Sequence, residues 1–313
     1  MLSTIHLRTF LAVVESGNYS QAAERLHMSQ PAVSQHIQAL EQQFDHARLF
    51  RRVGQQMLPT HAGEQLIDVA REMLALAQRA EEDIRAMRGQ ISGRVVLGCT
   101  PTSGEHLLPT LLLGFRTRFP AIAVEVALAP LETLLEWLAS QAIHVLLAEE
   151  QQRKRGWEAQ LLGNEALVLL APRGHALLQQ EQVVPGQLKG LPLVLPRRSA
   201  PLRRLIEDGL RRRGVGNAEI DIAMETDSTG MMVEAVRSGV GLAFVPQSCV
   251  PRGRDTSVIN VAGLNLQLDW HLVRSRERGA PRSVQELFSF LAGKDSRRIL
   301  AKNGLKIPPE PPA

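Results

Sequence analysis

Aromatic side chains are scarce in this chain: one Tyr, three Trp and eight Phe among 313 residues. Cysteine is scarcer, with only Cys99 and Cys249. Their number and spacing exclude a disulfide framework and a zinc site, and two unpaired thiols fit a reducing compartment. Cys99 has no Lys, Arg or His beside it in sequence to activate a thiolate. No stretch approaches the roughly 18 apolar residues that a membrane span needs. The opening MLSTIHLRTF has neither the basic start nor the apolar core of a secretory signal. A cytoplasmic protein without membrane contact is expected. Also missing are GxGxxG, a P-loop, metal-ligand spacing and a nucleophile elbow. Gly239 and Gly241 lie between a helix and a strand, the wrong order for dinucleotide binding. The expectations are no catalytic residues, no metal, no cofactor, and no enzyme.

Length and composition are those of a globular protein of two or more domains, with 44% hydrophobic and 22% charged residues. The net charge of +4 invites a nucleic-acid partner, but its distribution sets a limit. Residues 1–60 hold five Arg and no Lys against four acids, and the basic runs RKR and RRR come later, at 153–155 and 211–213. A DNA-binding N-terminal region must therefore rely on a few placed arginines, helix N-termini and side-chain amides. An architectural protein that coats DNA through bulk charge would need a more basic start.

That region holds the most informative stretch, SQAAERLHMSQPAVSQHIQALEQ, Ser20 to Gln42. Ala22, Ala23 and Leu26 make a small apolar stripe; after a short break Val33, Ile37, Leu40 and Phe44 fall on one helical face. The opposite face carries Pro31, Ser34, Gln35, Gln38 and Gln42, polar but uncharged, which solubility alone does not require. Ser3 or Thr4 can cap a first helix through Leu7, Phe10, Leu11 and Val14, stopped at Gly17; Ser20 can cap a second and Ser29 a third. Pro31 is tolerated in a first turn, whose amides have no intrahelical partner. Three short helices of this kind form a helix-turn-helix module, and LFRRVGQQMLPT fits a hairpin wing behind it.

Thr60 can cap a long fourth helix, with Gly63 an oddity in its first turn. Leu66, Ala70, Met73, Ala77, Ala80, Ile84 and Met87 are spaced 4, 3, 4, 3, 4, 3, an a/d seam expected to pair two chains. After RGQISG the pattern changes to strands alternating with helices: RVVLGCT, LLPTLLLGFRTRFP, IAVEVAL, LETLLEWLASQ, IHVLLAE and onward to RSVQELFSFLAG. Such alternation predicts a parallel sheet covered by helices on both faces. The Pro-rich end, KNGLKIPPEPPA, is expected to be disordered.

With these residues in place, the chain resembles the LysR-type transcriptional regulators over nearly its whole length. FLAVVESGNYSQAAERLHMSQPAVSQHIQALEQQF and LFRRVGQQMLPTHAGEQL carry the N-terminal resemblance. LGCTPTSGEHLLP, VLPRRSAPLRRLIEDGL and METDSTGMMVEAVRSGVGLAFVP resemble the family's effector domain, which looks like a type 2 periplasmic solute-binding protein. The resemblance implies an α/β protein with a winged helix-turn-helix (1–60), a linker helix for dimerisation (61–90), two α/β effector lobes (91–303) and a tail (304–313). It implies double-stranded DNA as partner, a homodimer or homotetramer, and a small effector between the lobes.

The residue chemistry agrees. Gln pairs bidentately with adenine, Ser serves either role at a base edge, and an apolar ring meets a thymine methyl. Gln30, Pro31, Ser34 and Gln35 are expected at bases, Ser29 at a phosphate beside the helix N-terminus, and Arg52 in the wing at the backbone or minor groove. Arg51 stands where the family commonly has Glu, and Gln55 and Gln56 where it has basic residues. In open α/β folds ligands sit at the carboxyl ends of strands. That places Thr100, Thr102 and Ser103, then Ser199, and Ser228 with Thr229, around the cleft, hydroxyls suited to an anionic metabolite. Glu149, at a strand end, would instead repel an anion or attract a cation. His144 stands where the family commonly has Asp.

Overall fold

The computed structural model describes residues 2–86, 91–152, 154–251, 253, 255–276 and 280–308. The chain divides into two units, with the boundary after Ser92.

In the first unit, α1 (Thr4–Ser16) ends on Gly17, whose φ of +63° gives the left-handed turn that stops the helix. The next helix, α2 (Tyr19–Arg25), is capped by Asn18, which accepts a bond from the Ser20 amide at 2.7 Å; Ser20, the expected cap, lies one residue inside. Ser29 caps α3 (Gln30–Gln43) through the Ala32 amide, with Pro31 in the first turn. The wing is the antiparallel pair β1 (Phe50–Val53) and β2 (Gln56–Pro59), turning at Gly54 with φ +61°. Leu7, Phe10 and Val13 of α1, Ala22 and Ala23 of α2, and Val33, Ile37 and Leu40 of α3 close over one core. Phe50 roots the wing there, 5.3 Å from Phe10 and 6.1 Å from Tyr19 between ring centres.

The long helix α4 (His61–Ala86) starts at Thr60, whose hydroxyl accepts from the Gly63 amide and donates to the Arg48 carbonyl. Gly63 is explained here: a Cβ would stand 2.2 Å from the Leu49 carbonyl oxygen. Leu66 and Ala70 are buried in the unit's own core, and Met73 packs against it. These positions hold the first half of α4 to its own unit. Among the described residues, the large apolar side chains α4 leaves exposed are Val69, Leu76 and Ile84, and Ala80 of the expected seam is exposed as well. Met87 lies outside the described residues.

The second unit contains one mixed sheet of nine strands among the described residues. Its first lobe has β3 (Gly93–Cys99), β4 (Ile122–Leu128) and β5 (Val145–Ala148) running parallel. Around them lie α5 (Pro101–His106), α6 (Leu108–Arg118) and α7 (Leu131–Ala139). The helix expected at 107–120 is α6, with Pro109 in its first turn, and the short α5 precedes it. The second lobe has β7 (Pro192–Leu195), β8 (Asp221–Glu225) and β9 (Leu242–Pro246), with α8 (Pro201–Arg211) and α9 (Thr229–Arg237).

The sheet is not wholly parallel. The 16-residue β6 (Trp157–Pro172) and β11 (Leu266–Ser275) run antiparallel to each other through both lobes, and β10 (Thr256–Ile259) joins β6 at the side. The register between β11 and β6 shifts between Trp270 and His271, where Leu162 is an extra residue on β6. There the buried Glu165 carboxylate accepts from Trp270 Nε1 and from the Ser248 amide and hydroxyl, tying both crossing strands to the segment after β9. The helices α10 (Arg282–Ala292) and α11 (Lys294–Lys302) pack on the first lobe through Phe290 against Phe115. The chain end is ordered further than expected: Leu305 is buried, and Lys306 exchanges two backbone bonds with Asn164.

Candidate nucleic-acid interface and inter-lobe cleft

The apolar stripe of α3 fixes what its other side presents. With Val33, Ile37 and Leu40 buried, Gln30, Pro31, Gln35, Gln38 and Gln42 are exposed, and Ser34 lies half-buried beside them. Five amide or ring groups and a hydroxyl thus form an uncharged strip with both donors and acceptors. Arg52 is exposed on the wing, its Nε donating to the Gly54 carbonyl at 3.1 Å, which holds the guanidinium over its own turn. One residue that sequence reasoning passed over holds these parts in register. Glu41, buried at the end of α3, accepts from the Leu49 amide at 3.0 Å and from Arg48 at 2.9 Å. Losing that carboxylate would strand a buried amide, at a cost of about 1–3 kcal/mol.

In the second unit the ends of β3 and β5 bring Thr100, Ser103 and Glu149 together. The Thr100 hydroxyl, at the end of β3, donates to Glu149 Oε1 at 2.7 Å, at the end of β5. Thr100 caps α5 by accepting from the Ser103 amide, and the Ser103 hydroxyl lies 3.1 Å from both the Thr100 and the Leu147 carbonyl. Burial pushes the Glu149 carboxyl above the ordinary carboxylate range, and the hydroxyls of Thr100 and Thr102 pull the other way without cancelling it. Glu149 Oε2 is buried with no hydrogen-bond partner. Thr102 is buried as well.

On the second lobe, Ser228 Oγ accepts from the Met231 amide as the α9 cap, and Thr229 is fully buried with its hydroxyl unpartnered. Ser199 is exposed, and its carbonyl accepts from Arg204. Two bonds that sequence patterns did not indicate join the lobes. Glu105 of α5 accepts from the Gly230 amide at 2.7 Å, and Glu150 accepts from Arg204 at 2.7 Å. Both acids were visible in the strand-end loops, but nothing local to them names a partner more than 50 residues away.

Two further positions are resolved. His144 stands just before β5, where its Nδ1 accepts from the Val96 amide at 2.9 Å, so it serves the pairing of neighbouring strands. Cys99 is buried, and burial with the nearby Glu149 pushes its thiol up to about 12; Cys249 is buried and raised in the same direction. Neither supplies a thiolate at neutral pH. Among the described residues, no cluster of three or more potential ligands could hold a metal ion, and no helix is long and apolar enough to cross a membrane.

Comparison with known proteins agrees with both halves of this geometry. Residues 5–64 match the bacterial regulatory helix-turn-helix protein family, lysR type, and residues 88–295 match the LysR substrate binding domain. The HTH-type transcriptional regulator CbbR of Xanthobacter flavus is 28% identical over 290 residues, 91% of this chain and 86% of that protein. Full-length CbnR in complex with its target DNA is 26% identical, covering 92% of this chain and 98% of that one at a TM-score of 0.62. A full-length OxyR variant from Pseudomonas aeruginosa shares the fold at a TM-score of 0.71 and 19% identity, over 93% and 95% of the two chains. These relatives are transcriptional regulators and not enzymes, and the chain belongs to the LysR family of DNA-binding transcriptional regulators.

Proposed function

We propose that this regulator reads an operator as a homo-oligomer through α3 and adjusts its binding to a small molecule held between the effector lobes. The observation that carries the first half is the exposed, uncharged strip Gln30–Pro31–Ser34–Gln35 on a helix whose other face is wholly committed to the core. Gln30, Ser34 and Gln35 address base edges, Pro31 meets a thymine methyl, and Ser29 with the first amides of α3 meets a phosphate. Arg52 adds backbone or minor-groove affinity. Gln38 is a further base-reading candidate. The CbnR–DNA complex lends support, since the chain resembles that protein along nearly its full length.

A two-fold dimer would read two half-sites of an imperfect palindrome. We place its contact on the exposed Val69, Leu76 and Ile84 of α4, with assembly continuing to a tetramer in the cytoplasm. The effector site comprises Thr100, Thr102, Ser103 and Glu149 from one lobe and Ser199, Ser228 and Thr229 from the other. A ligand held by both lobes shifts their closure by its difference in affinity for the two states. The anionic charge expected of the effector finds little support, because the hydroxyl and amide donors of Thr100, Ser103, Gly230 and Met231 already bond to the protein's own acceptors.

The test is Gln30→Ala titrated against operator and random DNA. A lost bidentate contact costs operator binding about 1–3 kcal/mol and leaves random DNA nearly unchanged. Equal loss on both would remove Gln30 from the base-reading set.

A further inference from the structure

Most hydrogen-bond donors around the cleft are already spent. The Thr100 hydroxyl proton goes to Glu149, and that of Ser103 to a backbone carbonyl. At the α9 N-terminus the Gly230 amide goes to Glu105 and the Met231 amide to Ser228. The facing cations are paired too: Arg204 with Glu150, Arg203 with Glu207 and Glu225, and Arg197 with Asp227. Arg198 is exposed to solvent. The unmet groups are Glu149 Oε2, on a side chain more than nine-tenths buried, and the hydroxyl of the fully buried Thr229. The carboxyl oxygen accepts, and the hydroxyl accepts or donates. A ligand carboxylate or phosphate would find the donors of Thr100, Ser103, Gly230 and Met231 occupied and three acids near it, Glu105, Glu149 and Glu150. A ligand N–H would find acceptors.

We propose that the cleft takes a small molecule carrying a protonated amine, seated with its N–H groups on the Glu149 carboxyl. This rests on the reading of the inter-lobe cleft as the effector site. An ammonium supplies what burial removed from Glu149, both the hydrogen bond and the compensating charge, and a charge-assisted pair of this kind is roughly twice as strong as a neutral one. Glu149 Oε2 is closed off from solvent, so entry requires the lobes to open, and opening parts the Glu105–Gly230 and Glu150–Arg204 bonds that join them. Ligand capture is thereby tied to movement of the lobes.

The experiment follows the methyl signals of Thr100 and Thr102 by NMR in the full-length protein, assigned through Thr→Ser variants. Acetate, with four non-hydrogen atoms, and methylammonium, with two and the opposite charge, are titrated separately. Two non-hydrogen atoms allow a dissociation constant no tighter than about 6 mM, so the titration extends well beyond that. Expected are saturable shifts with methylammonium, weakened at least about tenfold in Glu149→Gln, the loss typical of one charge-assisted bond, and no saturable shift with acetate. Saturation by acetate alone overturns the amine assignment and leaves the cleft standing as the ligand site. Silence with both probes overturns the cleft reading itself and the assignment with it. The two-probe comparison in the wild-type protein decides between these outcomes even if Glu149→Gln folds poorly.

Discussion

Gly63→Ala sets two physical effects of opposite sign against each other. Alanine is the better helix former by about 0.8–1 kcal/mol, so propensity alone predicts a gain in the first turn of α4. The structure predicts a loss. The added Cβ would stand 2.2 Å from the Leu49 carbonyl oxygen and 3.2 Å from Pro59 Cβ, and the closer of these is backbone that cannot swing aside. Relief requires α4 to move away from the start of the wing, loosening Leu66 and Ala70 from the core they share with α1 and α3. Overpacking of this kind costs about 1–3 kcal/mol, and so close a backbone contact belongs at the top of that range. The net destabilisation is about 2 kcal/mol after the propensity gain, or roughly 30-fold in the opening equilibrium. Amide hydrogen exchange in the full-length protein isolates the effect, because α1–α3 can be followed separately from the effector lobes. The core amides of α1 and α3 should exchange about 30-fold faster, with those of β6 and β11 unchanged. Slower exchange in Gly63→Ala would mean that propensity wins and the close approach at Leu49 is misjudged.

Other outcomes follow from the same structure. Arg52→Ala should weaken operator and random DNA alike and flatten the salt dependence of binding by roughly one unit, measured by titration across ionic strengths. Leu76→Glu with Ile84→Glu should lower the mass seen by ultracentrifugation to that of a smaller species, whereas Met73→Glu should instead lower thermal stability, since Met73 packs on its own unit. Glu149→Gln removes a buried carboxyl whose folded-state pKa is raised, so the wild-type protein binds more protons folded than unfolded. Wild-type stability contributed by that group is present at low pH and falls as pH rises from the unfolded value toward the raised one, by about 1.4 kcal/mol per unit across that window. Chemical denaturation should therefore show the variant gaining on wild type as pH increases, and a constant difference would contradict the burial of this carboxyl.

Patterns that repeat within one helix or strand were legible in the sequence. The stripe Val33–Ile37–Leu40, the stop at Gly17, the cap at Ser29 and the hairpin turn at Gly54 all rest on neighbours a few residues apart. What distance in sequence conceals was harder to read. WEAQLLGN, the first half of β6, has no clean alternation because its strand is held between lobes, and its existence follows only from pairing with β11. The seam on α4 was legible only in part for a related reason: a 3.5-residue period shows that a face is apolar and not what covers it, and Leu66 and Ala70 are covered by their own unit while Ala80 and Ile84 of the same seam are exposed. Asn18 in place of Ser20 as the α2 cap is a shift of two residues that only backbone geometry decides. The hydroxyls after β3 were visible in the sequence, but the bond from Thr100 to Glu149 and the reach of Glu105 to Gly230 depend on strands brought together by the fold.

The central claim is that the uncharged face of α3 carries the sequence information. Selection of preferred sites from randomised DNA, run in parallel with the wild-type protein and the Gln30→Ala/Ser34→Ala variant, tests it most directly. The wild-type protein should select a motif with two-fold symmetry, and the variant should lose preference at one or two positions in each half-site while the half-site spacing is kept. An unchanged motif in the variant would show that the bases are read by some other surface.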